Sequence, residues 1–235
     1  MKKIFLFILV TLVCTACEHN ISPEVQQVSG AENGHDYVDL GLSVMWAPVN
    51  LGATIVGEYG DYYAWGETES KNYFSSDNYK YCTKKGSMYF YTKYCYSSTE
   101  GIVDSLTILL PEDDATHVQW GGSWRIPTKE EWIELREKCI WKYSRKNDKK
   151  GWTATGPNGK SIFFPLPGGI TWNENNTHNH TGYYRSASLG EKYSGTTFII
   201  IMRSDTDDTE ELTWSNGSRE FGQSIRPICS PSQKD

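Results

Sequence analysis

The sequence predicts an α+β domain built from short antiparallel strands, two helices and long loops. Three observations lead there. Apolar stretches are short and separated by turn residues. Only two segments carry helical start signals, and they do not alternate with strands as a parallel α/β sheet would require. Between the framework segments lie polar loops with interspersed aromatic residues, at 171–182 and 204–220.

The chain starts with Lys2 and Lys3, then an apolar run from Ile4 to Val13 that is too short to span a bilayer, then Thr15-Ala16-Cys17. This pattern resembles a lipoprotein signal peptide over residues 1–16, with Cys17 as the lipidated residue. Cys14 stands where a leucine is usual in such signals, and an ordinary cleaved secretory signal is the alternative. Glu18 at the following position points to the outer membrane. Residues 17–35 are polar and read as a flexible tether, 36–230 as one domain and 231–235 as a tail. Loss of residues 1–16 takes away Lys2 and Lys3 and carries the formal charge from −6 to about −8. An acidic chain without a Lys/Arg stripe or a nucleic-acid motif argues against a nucleic-acid partner. The longest later apolar run, Phe198 to Met202, is strand-sized, so membrane attachment is expected through lipid alone.

The first helix is expected at Pro111, whose missing N–H costs nothing in a first turn. Glu112, Asp113 and Asp114 suit a positive helix N-terminus, with Ala115 and Val118 facing inward. A catalytic role for the acidic trio competes with this structural one, and the helix dipole alone accounts for it. The second helix begins at Lys129. Pro127 holds the approach extended, Thr128 caps, and Glu131 completes a capping box. Trp132, Leu135 and Cys139 then form the buried stripe. Trp152 to Thr155 and Ser161 to Phe164 flank Pro157-Asn158-Gly159 and read as a hairpin. Thr197 to Met202 is apolar on both faces, hence a central strand. The acidic run Asp205, Asp207, Asp208, Glu210 and Glu211 reads as the charged tip of a hairpin joining Phe198–Arg203 to Leu212–Trp214. A calcium site there is the lesser reading, since the EF-hand spacing is absent. Pro227 marks the last strand as an edge or a strand end.

Trp120 to Leu135 (WGGSWRIPTKEEWIEL) resembles the signature of the Fibrobacter succinogenes major paralogous domain family of Bacteroidetes. Tyr37–Ala53, Tyr59–Glu67, Tyr79–Cys95 with Leu110–Val118, Tyr183–Ser188 and Gly222–Ile228 are similar to its other blocks. The resemblance implies a C-type lectin-like fold over about residues 36–229, shared with formylglycine-generating enzymes. Neither activity is carried over. The calcium-dependent sugar tripeptides of the lectins are missing, since Gly156-Pro157-Asn158 lacks the acid and Trp172-Asn173-Glu174 ends wrongly. Only Cys229 stands where the oxidases need late cysteines. Arg125 and Arg226 of the family blocks are expected to join the helix start and last strand to carboxylates. Asp104-Ser105-Leu106 resembles a short O-glycosylation signal of Bacteroidetes.

After Cys17 come Cys82, Cys95, Cys139 and Cys229, which allow three pairings. Cys82 with Cys95 would close a short loop and stabilise by about 3 kcal/mol. Cys139 pairs with Cys229 or with nothing, and four free thiols are also compatible with the sequence. No motif sets a nucleophile beside a base, and there is no G-x-S-x-G or H-E-x-x-H, so an enzyme is not expected. His178 and His180 are the one close histidine pair, but no third ligand is dictated, so neither a metal nor another cofactor is expected. The remaining chemistry is recognition. Trp172, Tyr183, Tyr184 and Trp214 are candidate platforms for a sugar face, with His178 and His180 beside them. The expected function is a lipid-anchored, non-catalytic module binding a glycan or protein at the cell surface without calcium. The alternatives are a structural or assembly component of the outer-membrane envelope and, less favoured, an enzyme related to the formylglycine-generating proteins.

Overall fold

The computed structural model describes residues 27–171, 178–204 and 212–230. Cys17, the residue expected to carry a lipid, Trp172 and the acidic run 205–211 lie outside them.

Strands β1 (Gly30–Glu32) and β2 (His35–Tyr37) form the first hairpin. Its two-residue turn is Asn33-Gly34, both at positive φ, which that dipeptide accepts at low cost. β3 (Met45–Trp46) pairs with β12 (Ile228–Cys229), so the last strand returns to lie beside an early one. β4 (Cys82–Lys85) and β5 (Met88–Tyr91) make a second hairpin. A 3-10 turn at Pro111–Asp113 leads into α1 (Ala115–Trp120), and α2 spans Lys129–Lys138. Two three-stranded sheets follow. The first orders β6 (Ile140–Lys146), β7 (Lys149–Thr155) and β8 (Ser161–Pro165); the second orders β11 (Leu212–Ser218), β10 (Thr196–Arg203) and β9 (Thr181–Leu189). The strand pairs are antiparallel, and the chain is α+β.

The second helix starts where its caps predict. The Thr128 side chain accepts from the Glu131 N–H, and the Glu131 carboxylate accepts from the Thr128 N–H at 2.7 Å. The same carboxylate takes the Arg125 guanidinium in a two-pronged pair, while the Arg125 backbone bridges to Ile228. One glutamate thus caps the start of the helix and, through Arg125, ties it to the terminal strand. Trp132 and Leu135 are buried in the larger core cluster with Trp46, Trp152, Phe164, Tyr184, Ile200 and Met202. A second cluster, containing Tyr63, Trp65, Phe74, Tyr79, Tyr81, Tyr94 and Ile225, packs the long segments around β4 and β5.

The region around α1 departs from the expectation. Ala115 is buried, but Val118 is half exposed and Thr116 points inward instead. The acidic trio is divided. Glu112 is exposed, whereas Asp113 and Asp114 are buried. Asp114 caps α1 by accepting from the Thr116 and His117 N–H groups, and it also holds the Ile126 N–H at 2.8 Å. Asp113 receives Lys80 at 2.9 Å, Lys93 at 2.5 Å, the Tyr94 hydroxyl at 2.7 Å and the Tyr81 hydroxyl. Both oxygens of Asp113 are therefore occupied by donors from the β4–β5 region.

These neighbours titrate in opposite senses. Burial alone would raise the Asp113 carboxyl, but hydrogen bonds from Lys93, Tyr81, Tyr94 and Lys80 outweigh it and hold the group well below the usual range. Burial pushes Asp114 up to about 6 despite its three backbone donors. An Asp in the unfolded chain titrates near pH 4. The Asp114 contribution to stability is thus present below about pH 4 and lost as pH rises to about 6. That of Asp113 is present above about pH 4 and lost as pH falls below it. Urea unfolding of wild type and Asp114→Asn at pH 4, 5 and 6.5 should show the wild type losing up to about 3 kcal/mol relative to the variant across that interval. A constant difference would mean that Asp114 stays ionised throughout.

The expected Cys82–Cys95 bridge is not formed, and Cys82, Cys95, Cys139 and Cys229 are all free thiols. Cys82 sits in β4 opposite Tyr91, while Cys95 lies in the following loop with its thiol donated to the Ser97 carbonyl at 3.2 Å. Burial pushes the Cys139 thiol up to about 11 and Cys229 up to about 12, which keeps both protonated and unreactive at neutral pH.

Candidate ligand-binding cleft

Side chains in a strand alternate between faces, and in β10 both faces are covered. Phe198, Ile200 and Met202 enter the larger core. Ile199 and Ile201 turn the other way and are 4% and 8% exposed, under a wall made by Gly169–Thr171 and Phe221–Gln223. Two-faced burial is what TFIIIM predicts. Between the Ile199–Ile201 face and the wall lies a cleft of about 450 Å³. Tyr183, Ser215, Asn216, Gly217 and Ser218 complete it.

The wall is held by backbone pairing. Ile170 and Gly222 exchange two hydrogen bonds of 2.8 Å, Gln223 and Tyr63 exchange two of 3.1 Å, and the Ser224 N–H donates to Tyr183 at 3.2 Å. Glycine keeps the space open at two points. A Cβ on Gly217 would stand 2.9 Å from the Ile199 Cδ1 and 3.1 Å from the Gln223 Nε2, and one on Gly169 would stand 3.2 Å from the Tyr183 ring. Behind the wall, buried Arg185 donates to the Thr197 hydroxyl at 2.7 Å and to the carbonyls of Ser218 at 3.0 Å, Arg219 at 3.2 Å and Phe221. Burial lowers its pKa to about 10, so it remains a cation at neutral pH.

Of the six residues expected at a binding site, Trp172 lies outside the described residues and the other five are dispersed. Tyr183 lines the cleft. Tyr184 does not: it is fully buried in the larger core, its hydroxyl donating to the Pro165 carbonyl at 2.7 Å. Adjacent residues of one strand face opposite ways, so the Tyr183-Tyr184 pair was never able to serve one ligand together. Trp214 lies on the core-side face of β11, opposite Ile200, and is 41% exposed. The Arg136 guanidinium covers its ring at 4.4 Å. It lines a second hollow of about 290 Å³ with Lys129, Leu189, Glu191, Phe198, Ser215 and Asn216. Edge strand β11 thus separates two depressions.

His178 and His180 serve different surroundings. His178 is half-buried, with its Nε2 2.9 Å from the Tyr62 hydroxyl and its ring 4.9 Å from that of Tyr59. Burial and Lys149 lower its pKa, favouring the neutral imidazole. His180 is exposed and its carbonyl accepts from the Ser204 N–H. Among the described residues no three His, Cys, Asp or Glu side chains converge as a metal site. Arg125 meets its carboxylate as expected, but Arg226 does not. Its guanidinium is buried against Asn50 Oδ1, the carbonyls of Ala47 and Phe163, and the Phe164 ring. Among the described residues the hydrogen-bond acceptors around Arg226 are neutral oxygens, which take the acid's place.

Sequence reasoning missed Ile199, Ile201, Phe221, Gln223 and Gly217 as cleft residues. The available signal was the combination of a two-faced apolar strand with glycines at 169, 217 and 222, where backbones approach closely. No family model, curated protein or solved structure matches the chain.

Proposed function

We propose that this protein is a non-catalytic binding module on a C-type lectin-like scaffold, held at the outer membrane by a lipid on Cys17, and that it takes its ligand in the cleft beside Tyr183. The carrying observation is the cleft: an apolar floor, a polar rim and a wall braced by backbone hydrogen bonds. Pockets of this size and character are where ligands are held on rigid scaffolds. The scaffold assignment is supported by the blocks around Trp120–Leu135, by the return of the last strand to β3, and by two helices beside small antiparallel sheets. The absence of calcium from the reading rests on the missing lectin tripeptides. The lipid anchor rests on the residues before Cys17.

The full chain in detergent, applied to glycan and peptide arrays with calcium and again with chelator, should show selective, chelator-resistant binding. Gly217→Val places branched carbons against Ile199 and Gln223 and should abolish that binding at a stability cost of about 1–3 kcal/mol, with circular dichroism checking that the variant is folded. Binding untouched by Gly217→Val, or blank arrays, would remove the cleft from consideration. Separately, Cys17→Ser should move the protein from the membrane pellet to the soluble fraction. Retention of the variant in the pellet would refute the lipid anchor.

A further inference from the structure

Among the described residues, the lining of the cleft contains no Asp, Glu, Lys, Arg or His. In a chain where 22% of residues are charged, a braced concavity free of charge restricts what can enter. A carboxylate, sulfate or ammonium placed there would lose its hydration and meet only amides, hydroxyls and apolar surface, an unfavourable exchange. Arg185, the buried cation behind the wall, does not line the cleft, although its Nε is without a partner among the described residues. Its Nη donors are spent on Thr197, Ser218, Arg219 and Phe221, and the side chain is 1% exposed.

What the cleft does offer is a flat apolar floor and one committed polar side chain. Ile199, Ile201 and the Tyr183 ring supply the floor, and Phe221 closes one end. Gln223 is 95% buried by its 5% exposure, and its backbone is fixed on both sides to Tyr63. Its Nε2 stands beside Gly217 in the cleft wall, yet its Oε1 has no hydrogen-bond partner among the described residues. Buried polar atoms are seldom left unpaired. With its Nε2 at the cleft wall and a buried Oε1 that lacks a partner behind it, this amide at the edge of an apolar floor matches a ligand with C–H groups on one face and hydroxyls at its rim.

Resting on the reading of the cleft as the ligand site, we propose that it accepts an uncharged saccharide ring laid on Ile199, Ile201 and Tyr183, with the Gln223 side-chain amide reading its hydroxyls. Gln223 is then the specificity-determining residue and Gly217 sets the depth available to the ring.

The test uses the full chain in detergent, titrated against neutral mannan-, cellulose- and chitin-derived oligosaccharides and against oligosaccharides terminated by uronate or sialic acid. Neutral oligosaccharides should bind at least tenfold more tightly than their acidic counterparts, and the affinity should change less than twofold between 50 and 500 mM salt. Gln223→Leu, close in volume, should weaken neutral binding about tenfold. Wild-type selectivity and salt dependence carry the test should that variant fail to fold. Preference for the acidic set, or affinity that collapses with salt, would overturn the neutral-sugar assignment; if Gly217→Val still abolished binding, the cleft itself would stand as the site. Binding only to peptides, blocked by Gly217→Val, would likewise replace the saccharide while keeping the cleft. Saccharide binding indifferent to both Gly217→Val and Gln223→Leu would remove both readings.

Discussion

Replacing Trp132 with alanine should cost about 3–5 kcal/mol of stability and lower the melting temperature by roughly 10–15 °C. The indole is 1% exposed and lies 5.0 Å from Trp46, 5.8 Å from Phe164 and 5.9 Å from Tyr184, centroid to centroid. These rings belong to β3, to the β7–β8 hairpin and to β9, so one side chain joins three parts of the fold. Its Nε1–H also donates to the Arg185 carbonyl at 3.0 Å. Trp132→Phe keeps much of the buried area and orphans only that carbonyl, and should cost about 1–2 kcal/mol beyond the lost area. Urea unfolding followed by circular dichroism separates the two variants. A loss below about 1 kcal/mol for Trp132→Ala would mean that α2 rests on the core without organising it. Because Arg185 belongs to β9 and also braces the cleft wall, the alanine variant should lose ligand affinity along with stability.

How far the sequence disclosed this architecture depends on how local each signal is. The helix at Lys129 was legible because Thr128, Glu131 and Pro127 act within one turn, and the Asn158-Gly159 hairpin because its turn chemistry lies in adjacent residues. The central position of β10 was legible because burial on both faces leaves no polar alternation. Val118 was misplaced because a six-residue helix carries less than two turns of periodicity, and the buried Asp114 cap decides its rotation. The Asp113 cluster was invisible for a different reason. Lys80, Tyr81, Lys93 and Tyr94 reach it from 19 to 33 residues away, and nothing in their spacing predicts convergence. The cleft was half legible. Tyr183 was named, but its pairing with Tyr184 treated aromatic content as a surface property when strand alternation sends one ring to each side. Gln223 and Phe221 belong to the wall only because Ile170 meets Gly222 across the chain.

Arg226→Met should destabilise the protein by about 2–4 kcal/mol, and Arg226→Lys by a similar amount. The side chain is 1% exposed and burial lowers its pKa to about 10, so it is carried as a cation. Burying a cation costs several kcal/mol before any contact is counted. Here the repayment comes from neutral groups: Asn50 Oδ1 at 2.9 Å, the Ala47 carbonyl at 3.1 Å, the Phe163 carbonyl at 2.8 Å, and the face of Phe164 at 4.4 Å. The three acceptors come from the segment after β3 and from β8, and only a planar fork reaches all of them at once. Methionine relieves the desolvation but leaves three acceptors without this donor. Lysine keeps a charge that cannot span them and, once buried, is driven toward its neutral form. Arg125→Met provides the contrast, since its pair with Glu131 is partly exposed and should be worth about 1 kcal/mol or less. Denaturant titration of the three variants at pH 7 ranks them. Were Arg226→Met as stable as wild type, the guanidinium would be a tolerated burden, and closure of the β3–β12 end would rest on its apolar packing alone.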